Sequence, residues 1–372
     1  MWTVKAEPED FIVVEDILLP PEGAGYYLYF LKKSGRTTLA VVKELYRRYG
    51  IKKGDIQFAG MKDRDGITYQ YLSSVKDIGQ YVEATTYQLW HTKDITSHID
   101  RKALKGNYFS LLVRGAKFIN TSVLSGGFIN YFDYQRFAVF SEGIAARLIL
   151  KRQYKEALWT LLTPGTRSLI KEPFEAEDFR KCRKLARTPW ERRLFDFLRR
   201  KGPKYKDALR YVDGDQRAIS MLAYQSYLWN RTVSKLVERY GEDIRYINVA
   251  GRQLAVARRV RKSYKVPFIT WFLAEEWWDL PEPVRQAIKE VLEEEGFSEL
   301  FELKTKVYGY TLILRYRDMI ERPEIISNIQ EQEGVRLVFH LPIGSYATMY
   351  VKQLAVYHDE MVEVAGGELQ AQ

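Results

Sequence analysis

Strand-like and helical patterns come in three blocks along this chain, and their order limits how the polypeptide can close a core. Up to about residue 115, runs of β-branched and aromatic residues dominate, at 11–15, 26–31, 67–75, 81–90 and 108–113. A shorter strand is expected at 55–60. One helix interrupts this block over 38–49; Thr37 or Thr38 can cap it, Gly50 stands where a left-handed stop is common, and Leu39, Val42, Leu45 and Tyr46 can share a face. From about residue 120 helical patterns take over, at 142–150, 215–240 and 283–295. In the second of these, Ile219, Leu222, Tyr227, Val233, Leu236 and Val237 supply an apolar stripe. Strand character then returns at 306–316 and at 335–341, where Val335, Leu337, Phe339 and Leu341 alternate as in a sheet packed on one face. Ser345 can cap a closing helix through residue 356. Sheet, helices and sheet again imply an α+β fold, and permit the first and last blocks to share one largely antiparallel mixed sheet with the helical block inserted between them.

With 372 residues the chain can hold two or three domains or one elaborated core. Lysine and arginine number 58 against 48 acidic residues, a net charge of +10 that favours approach to a polyanion. The densest basic stretch is 181–210, with 12 Lys or Arg against Glu191, Asp196 and Asp207. A second run holds Arg252, Arg258, Arg259, Arg261, Lys262 and Lys265. Both are suited to gripping phosphates, and both are equally suited to a solvated face. Cys182 is the single cysteine, which excludes an intramolecular disulfide and a cysteine metal cluster. His91, His98, His340 and His358 show no paired ligand spacing. The first residues, Met1-Trp2-Thr3-Val4-Lys5 and then Glu7, Glu9 and Asp10, read neither as a signal peptide nor as a membrane span, so a cytoplasmic protein is expected. The sequence shows no sign of a required protein partner.

The segment Phe58-Ala59-Gly60-Met61-Lys62-Asp63-Arg64-Asp65-Gly66-Ile67-Thr68-Tyr69-Gln70 puts a charged turn between two strand-like runs. By local physics alone an Asp-Gly pair there is a hairpin turn. The same segment closely resembles the signature of the TruD-type pseudouridine synthases. Five further segments are similar to that family in the same order. They are Lys5 to Glu15 (KAEPEDFIVVE), with Gly106-Asn107-Tyr108-Phe109 after it; Asn130-Tyr131-Phe132-Asp133-Tyr134-Gln135-Arg136-Phe137; Tyr224-Gln225-Ser226-Tyr227-Leu228-Trp229-Asn230; and Gly344-Ser345-Tyr346-Ala347-Thr348. Departures are Ala138, where the family pattern has glycine, and Ser141-Glu142-Gly143 in place of a histidine-containing continuation.

The resemblance implies a pseudouridine synthase catalytic domain built from residues 1–150 and 319–372, with a helix-rich α/β insertion domain at 151–318. It implies isomerisation of uridine to pseudouridine in tRNA, usually at uridine 13, without cofactor or metal. The sequence agrees in having no nucleotide phosphate loop and no dinucleotide glycine fingerprint. Asp63 takes the role of catalytic carboxylate and Lys5 that of its basic partner, which favours the ionised form. Phe132 is expected to stack on a flipped uracil and Asn130 to shape its pocket, with Gln135, Arg136 and Phe137 supporting that loop. Lys62 and Arg64 flank Asp63. Two-residue periodicity points both away from it, toward a backbone phosphate. Gly60 and Thr68 are expected to serve the loop itself, the threonine by bonding to nearby backbone. Gly344 and Ser345 either offer amides to a phosphate or only begin a helix. The competing reading is a noncatalytic RNA-binding or RNA-folding protein using the same cleft. A hydrolase with paired carboxylates is the weaker third, since no two acids pair by spacing.

Overall fold

The computed structural model describes residues 1–137 and 145–365. Ala138, Ser141-Glu142-Gly143, the start of the 142–150 helix and the C-terminal tail lie outside the described residues. The first block supplies strands β1 (Trp2–Val4), β2 (Phe11–Ile17), β3 (Glu22–Lys33), β4 (Ile56–Gln57), β5 (Ile67–Ser74), β6 (Tyr81–Ala84), β7 (Tyr87–Ile95) and β8 (Leu104–Arg114). A short β9 (Phe128–Ile129) follows. The middle contributes β10 (Gly241–Val249), β11 (Arg252–Val260), β12 (Lys265–Pro267) and β13 (Tyr316–Asp318). The closing block contributes β14 (Ile320–Glu321), β15 (Glu324–Glu331), β16 (Gly334–Pro342) and β17 (Val362–Val364).

Both ends of the chain build one sheet of mixed α+β architecture. Its order is β15-β16-β8-β2-β5-β3-β7-β6, with β1, β17 and β4 attached at the side. Most pairings are antiparallel; β2–β5 and β1–β17 are parallel. Strand β16 lies against β8 over its whole length, and Val335, Leu337, Phe339 and Leu341 are all buried, as their alternation predicts. The helix Thr38–Tyr49 closes one satellite core over Tyr29, Leu31 and Leu72; Thr37 caps it by accepting from the Ala40 amide, and Gly50 ends it in the left-handed region. Its buried face is Thr38, Val41, Val42 and Leu45, so Leu39 points to solvent, one position off the expected stripe.

The helix-rich part runs through Ala145–Leu150, Tyr154–Leu161, Pro164–Glu175, Phe179–Leu185, Pro189–Lys201 and Tyr205–Ala208 to the long helix Gly214–Tyr240. No described helix is long and apolar enough to cross a membrane. The β10–β11 hairpin and the edge strand β15 are additions to the sequence-based expectation. Ile219 is exposed on the long helix, and the 81–90 run is split into β6 and β7 by a turn at Thr85-Thr86. Residues 306–316 form no strand before Tyr316, although they carry strand-like residues. Buried Gln225 of the long helix takes the place of a neighbouring strand, accepting from the Ile313 amide at 3.1 Å and donating to the Ile313 carbonyl at 2.8 Å. Gln353 treats Ile129 in the same way, at 2.8 Å in both directions.

Gly66 leads into β5 where β2 and β5 run parallel. A Cβ there would stand 2.6 Å from the Phe11 carbonyl oxygen and 2.9 Å from its ring, too close for any side chain. Gly66→Ala should therefore lower stability by about 1–3 kcal/mol, readable as a lower urea midpoint with an unchanged slope.

Candidate functional site

Three chain segments bring Asp63 and its two side-chain partners together: the loop between β4 and β5, the turn after β1, and the segment following β9. The Gly60–Asp63 loop has no regular structure, and buried side chains hold its backbone instead. Gln70 donates to the Gly60 carbonyl at 3.1 Å, and the Lys62 amide donates to the Thr38 hydroxyl at 3.2 Å. Thr38 in turn donates to Gln70 at 2.7 Å. The Lys33 ammonium, 1% exposed at the end of β3, donates to the Asp63 carbonyl at 2.6 Å and to the Lys62 carbonyl at 3.4 Å. Thr68 does not contribute as expected. It is buried and its hydroxyl has no hydrogen-bond partner, being occupied by packing rather than by the loop.

Thus anchored, the loop presents the Asp63 carboxylate to two donors. Lys5 Nζ lies 3.0 Å from Oδ2, and the Gln135 amide donates to Oδ1 at 3.2 Å. Lys5 reaches across the Phe11 ring, 3.6 Å from its centroid, and its ammonium is nearly buried. Its backbone is left-handed, φ 62°, which for a non-glycine residue costs on the order of 1 kcal/mol. That strain is retained where it turns the ammonium back from the sheet edge toward Asp63. Burial pushes the Asp63 carboxyl upward. The charge and hydrogen bond of Lys5 outweigh it, together with the Gln135 amide and the charge of Lys33, and hold the carboxyl below its usual range. Asp63 is therefore ionised at neutral pH.

Asp133 stands beside this pair in the same cleft, which Lys5, Asp63, Tyr134, Gln135, Thr348 and Lys352 also line. It is buried, and Lys352 Nζ donates to its Oδ1 at 2.6 Å while the Thr348 hydroxyl donates to Oδ2. Its Oδ1 also accepts from the Tyr134 amide at 2.7 Å, capping the single 3-10 turn Tyr134–Arg136 that carries Gln135.

Phe132 is 5% exposed. Trp229, Phe268 and Tyr346 meet its ring edge-on at 5.5, 5.7 and 6.1 Å, and the Arg317 guanidinium covers the ring at 4.2 Å. Asn230 of the long helix clamps the Phe132 backbone, accepting from its amide and donating to its carbonyl, both at 2.9 Å. Asn130 is likewise engaged inside the protein. Its side chain donates to the Asp318 carbonyl at 3.3 Å and accepts from Arg317, which also donates to the Asn130 carbonyl at 2.9 and 2.7 Å. Arg317 further donates to the Gly344 carbonyl at 2.7 Å. Burial pulls Arg317 down to about 10, which leaves it charged at neutral pH. Arg136 donates to Ser226 at 3.1 Å, also on the long helix.

Several expected positions differ. Lys62 does not face outward to a phosphate. Its ammonium is nearly buried, 3.0 Å from Glu15 and donating to Asn107 at 2.7 Å, because the loop leaves the strand pattern before Lys62 and alternation no longer sets its direction. Arg64 does face solvent, paired with Asp65 at 2.8 Å. Ser345 does not cap the closing helix Ala347–Val356. Tyr346 holds the cap position, the Ser345 amide is turned into a bond with the Pro342 carbonyl at 3.3 Å, and its hydroxyl has no partner. Gly344, with φ 91°, turns its carbonyl to Arg317. Lys33, Asp133, Arg317 and Lys352 are additions to the expected set. Apart from the Tyr134 amide on Asp133, their partners lie far away in sequence and no spacing announces them. Among the described residues no cluster of histidine, cysteine and acidic side chains is arranged to hold a metal.

A family model, curated relatives and a solved structure are similar to this chain. A family model described as tRNA pseudouridine synthase D (TruD) matches residues 2–354. The tRNA pseudouridine synthase D of Aquifex aeolicus is 28% identical over 398 aligned residues, covering 94% of this chain and 97% of the relative. A protein of Thermococcus gammatolerans, named a probable tRNA pseudouridine synthase D, is 33% identical over 63% of this chain and 61% of its own length. The crystal structure of a Methanosarcina mazei protein described as a putative tRNA pseudouridine synthase D (TruD) shares the fold, with a TM-score of 0.67 over 94% of this chain and 92% of that one at 19% identity.

Proposed function

The chain belongs to the TruD family of tRNA pseudouridine synthases, and from that premise we propose that it isomerises uridine to pseudouridine in tRNA, at uridine 13, with Asp63 as the catalytic carboxylate. The observation that carries the reading is the Lys5–Asp63–Gln135 constellation, which keeps a carboxylate ionised in a cleft. In the reaction the N1–C1′ bond breaks, the base turns, C5 bonds to C1′, the C5 proton leaves and N1 gains one. An ionised Asp63 supports attack at the sugar and proton removal from it equally well. Phe132 is buried with the Arg317 guanidinium over its ring, so stacking of a flipped uracil on it requires the Arg317 side chain to shift away. In this reading residues 1–150 and 319–372 are the catalytic unit and 151–318 the inserted one.

All 12 basic residues of the 181–210 stretch are exposed on the helices and connections of that inserted part. They suit a grip on tRNA phosphates that reads the shape of A-form RNA. Binding should therefore weaken steeply with salt, by about 10³-fold between about 50 and 200 mM for a footprint of roughly six phosphates. Fluorescence anisotropy with labelled tRNA reads this directly, and salt-independent binding contradicts it. The chemistry is tested by release of tritium from C5-labelled uridine in unmodified tRNA, because forming the C5–C1′ bond expels that hydrogen. No release under conditions where the tRNA is bound contradicts the synthase reading and favours a passive RNA binder.

A further inference from the structure

We infer that Lys33 is a positioning residue for catalysis: its buried ammonium fixes the backbone of the loop that carries Asp63, and its charge is required for that hold. This rests on the synthase reading above. Two successive carbonyls, Lys62 and Asp63, converge on one ammonium at 3.4 and 2.6 Å. In an extended chain successive carbonyls point to opposite sides, so this convergence marks a turn, and Lys33 is the cation inside it. The other backbone contacts of the loop, from Thr38 and Gln70, bear on Gly60 and Lys62 and leave the Asp63 carbonyl to Lys33. The side chain of Asp63 depends on Lys5 and Gln135, but the Cα from which it projects is set by Lys33.

Lys33 has no carboxylate within ion-pair distance among the described contacts and is 1% exposed, an unusual state for an ammonium. Charged groups facing it are Asp63 and Asp65, which favour the ammonium, and Lys62, which opposes it. Its cross-strand neighbours are Thr68 on β5 and Tyr87 on β7. Burial outweighs the acids and pulls Lys33 down to about 8. The residue is therefore charged at neutral pH and loses its proton in the mildly alkaline range. A neutral amine still donates, but without charge assistance, and the hold on the two carbonyls weakens.

The test is the single-turnover rate of pseudouridine formation in unmodified tRNA against pH, for wild type, Lys33→Arg and Lys33→Met, with tRNA affinity and thermal unfolding measured alongside. Wild type should show a rate that falls as pH rises through about 8. Lys33→Met should be slower by about 10- to 100-fold at neutral pH with unchanged tRNA affinity, and should lack that limb. Lys33→Arg stays charged at every accessible pH and should shift the limb upward or remove it. An alkaline limb that persists unmoved in both variants belongs to another group, such as the uracil imide, and overturns the inference. So does a Lys33→Met protein that reacts at the wild-type rate or loses chiefly affinity. A folded wild type that binds tRNA but makes no product at any pH overturns the synthase reading, and the role of Lys33 with it.

Discussion

Asp63→Asn is expected to abolish pseudouridine formation while leaving the fold and tRNA binding in place. Asparagine keeps the shape of the side chain and an oxygen for Lys5, which lies 3.0 Å away in the native site. What it removes is the negative charge and with it the capacity to act as nucleophile or base. A loss of at least about 10⁴-fold is expected, the scale on which enzymes respond to losing a nucleophile. The rate is best read in single turnover with enzyme in excess, so that affinity does not enter. Near-native thermal unfolding and anisotropy titration establish that only chemistry has been lost. Turnover within tenfold of wild type would remove Asp63 from the central role.

The second large effect is on stability and comes from the buried pair next to Asp63. The side chains of Lys352 and Asp133 are 6% and 7% exposed. Lys352→Met leaves the Asp133 carboxylate buried with only the Thr348 hydroxyl and the Tyr134 amide for company. Breaking such a pair from one side costs about 3–5 kcal/mol. Chemical denaturation should show this as a lowered midpoint. The double variant Asp133→Asn, Lys352→Met should recover much of it, since no unpaired charge then remains. Activity should also fall in Lys352→Met, because Asp133 caps the turn that delivers Gln135 to Asp63. A destabilisation below about 1 kcal/mol would mean that the pair contributes no more than a solvent-exposed ion pair does.

What could be read in advance follows the range of the interactions. Alternation in 335–341 and the cap and stop of the Thr38–Tyr49 helix are local signals, and the structure reproduces them. The sharing of one sheet by both chain ends was permitted by the block order, and β16 on β8 realises it. Lys5 and Asp63 are separated by 58 positions, so their pairing was legible only through likeness to a family. Two-residue periodicity points Lys62 outward, but its loop contains no strand, and the side chain turns in to Glu15 and Asn107. Residues 306–316 looked like a strand because strand propensity reports a side chain that fits a half-buried surface. Here a glutamine from a helix satisfies the backbone instead of a neighbouring strand. Lys33 and Arg317 are single cations whose importance lies in which carbonyls they meet, and nothing in their sequence neighbourhood carries that information.

Mapping pseudouridine at nucleotide resolution in unmodified tRNA, after incubation with wild type or Asp63→Asn and no added cofactor, tests the central claim most directly. The predicted result is a single modified position, uridine 13, with wild type and none with Asp63→Asn. Equal product with both proteins would contradict the assignment of Asp63, and no product with a folded, tRNA-bound wild type would contradict the synthase activity itself.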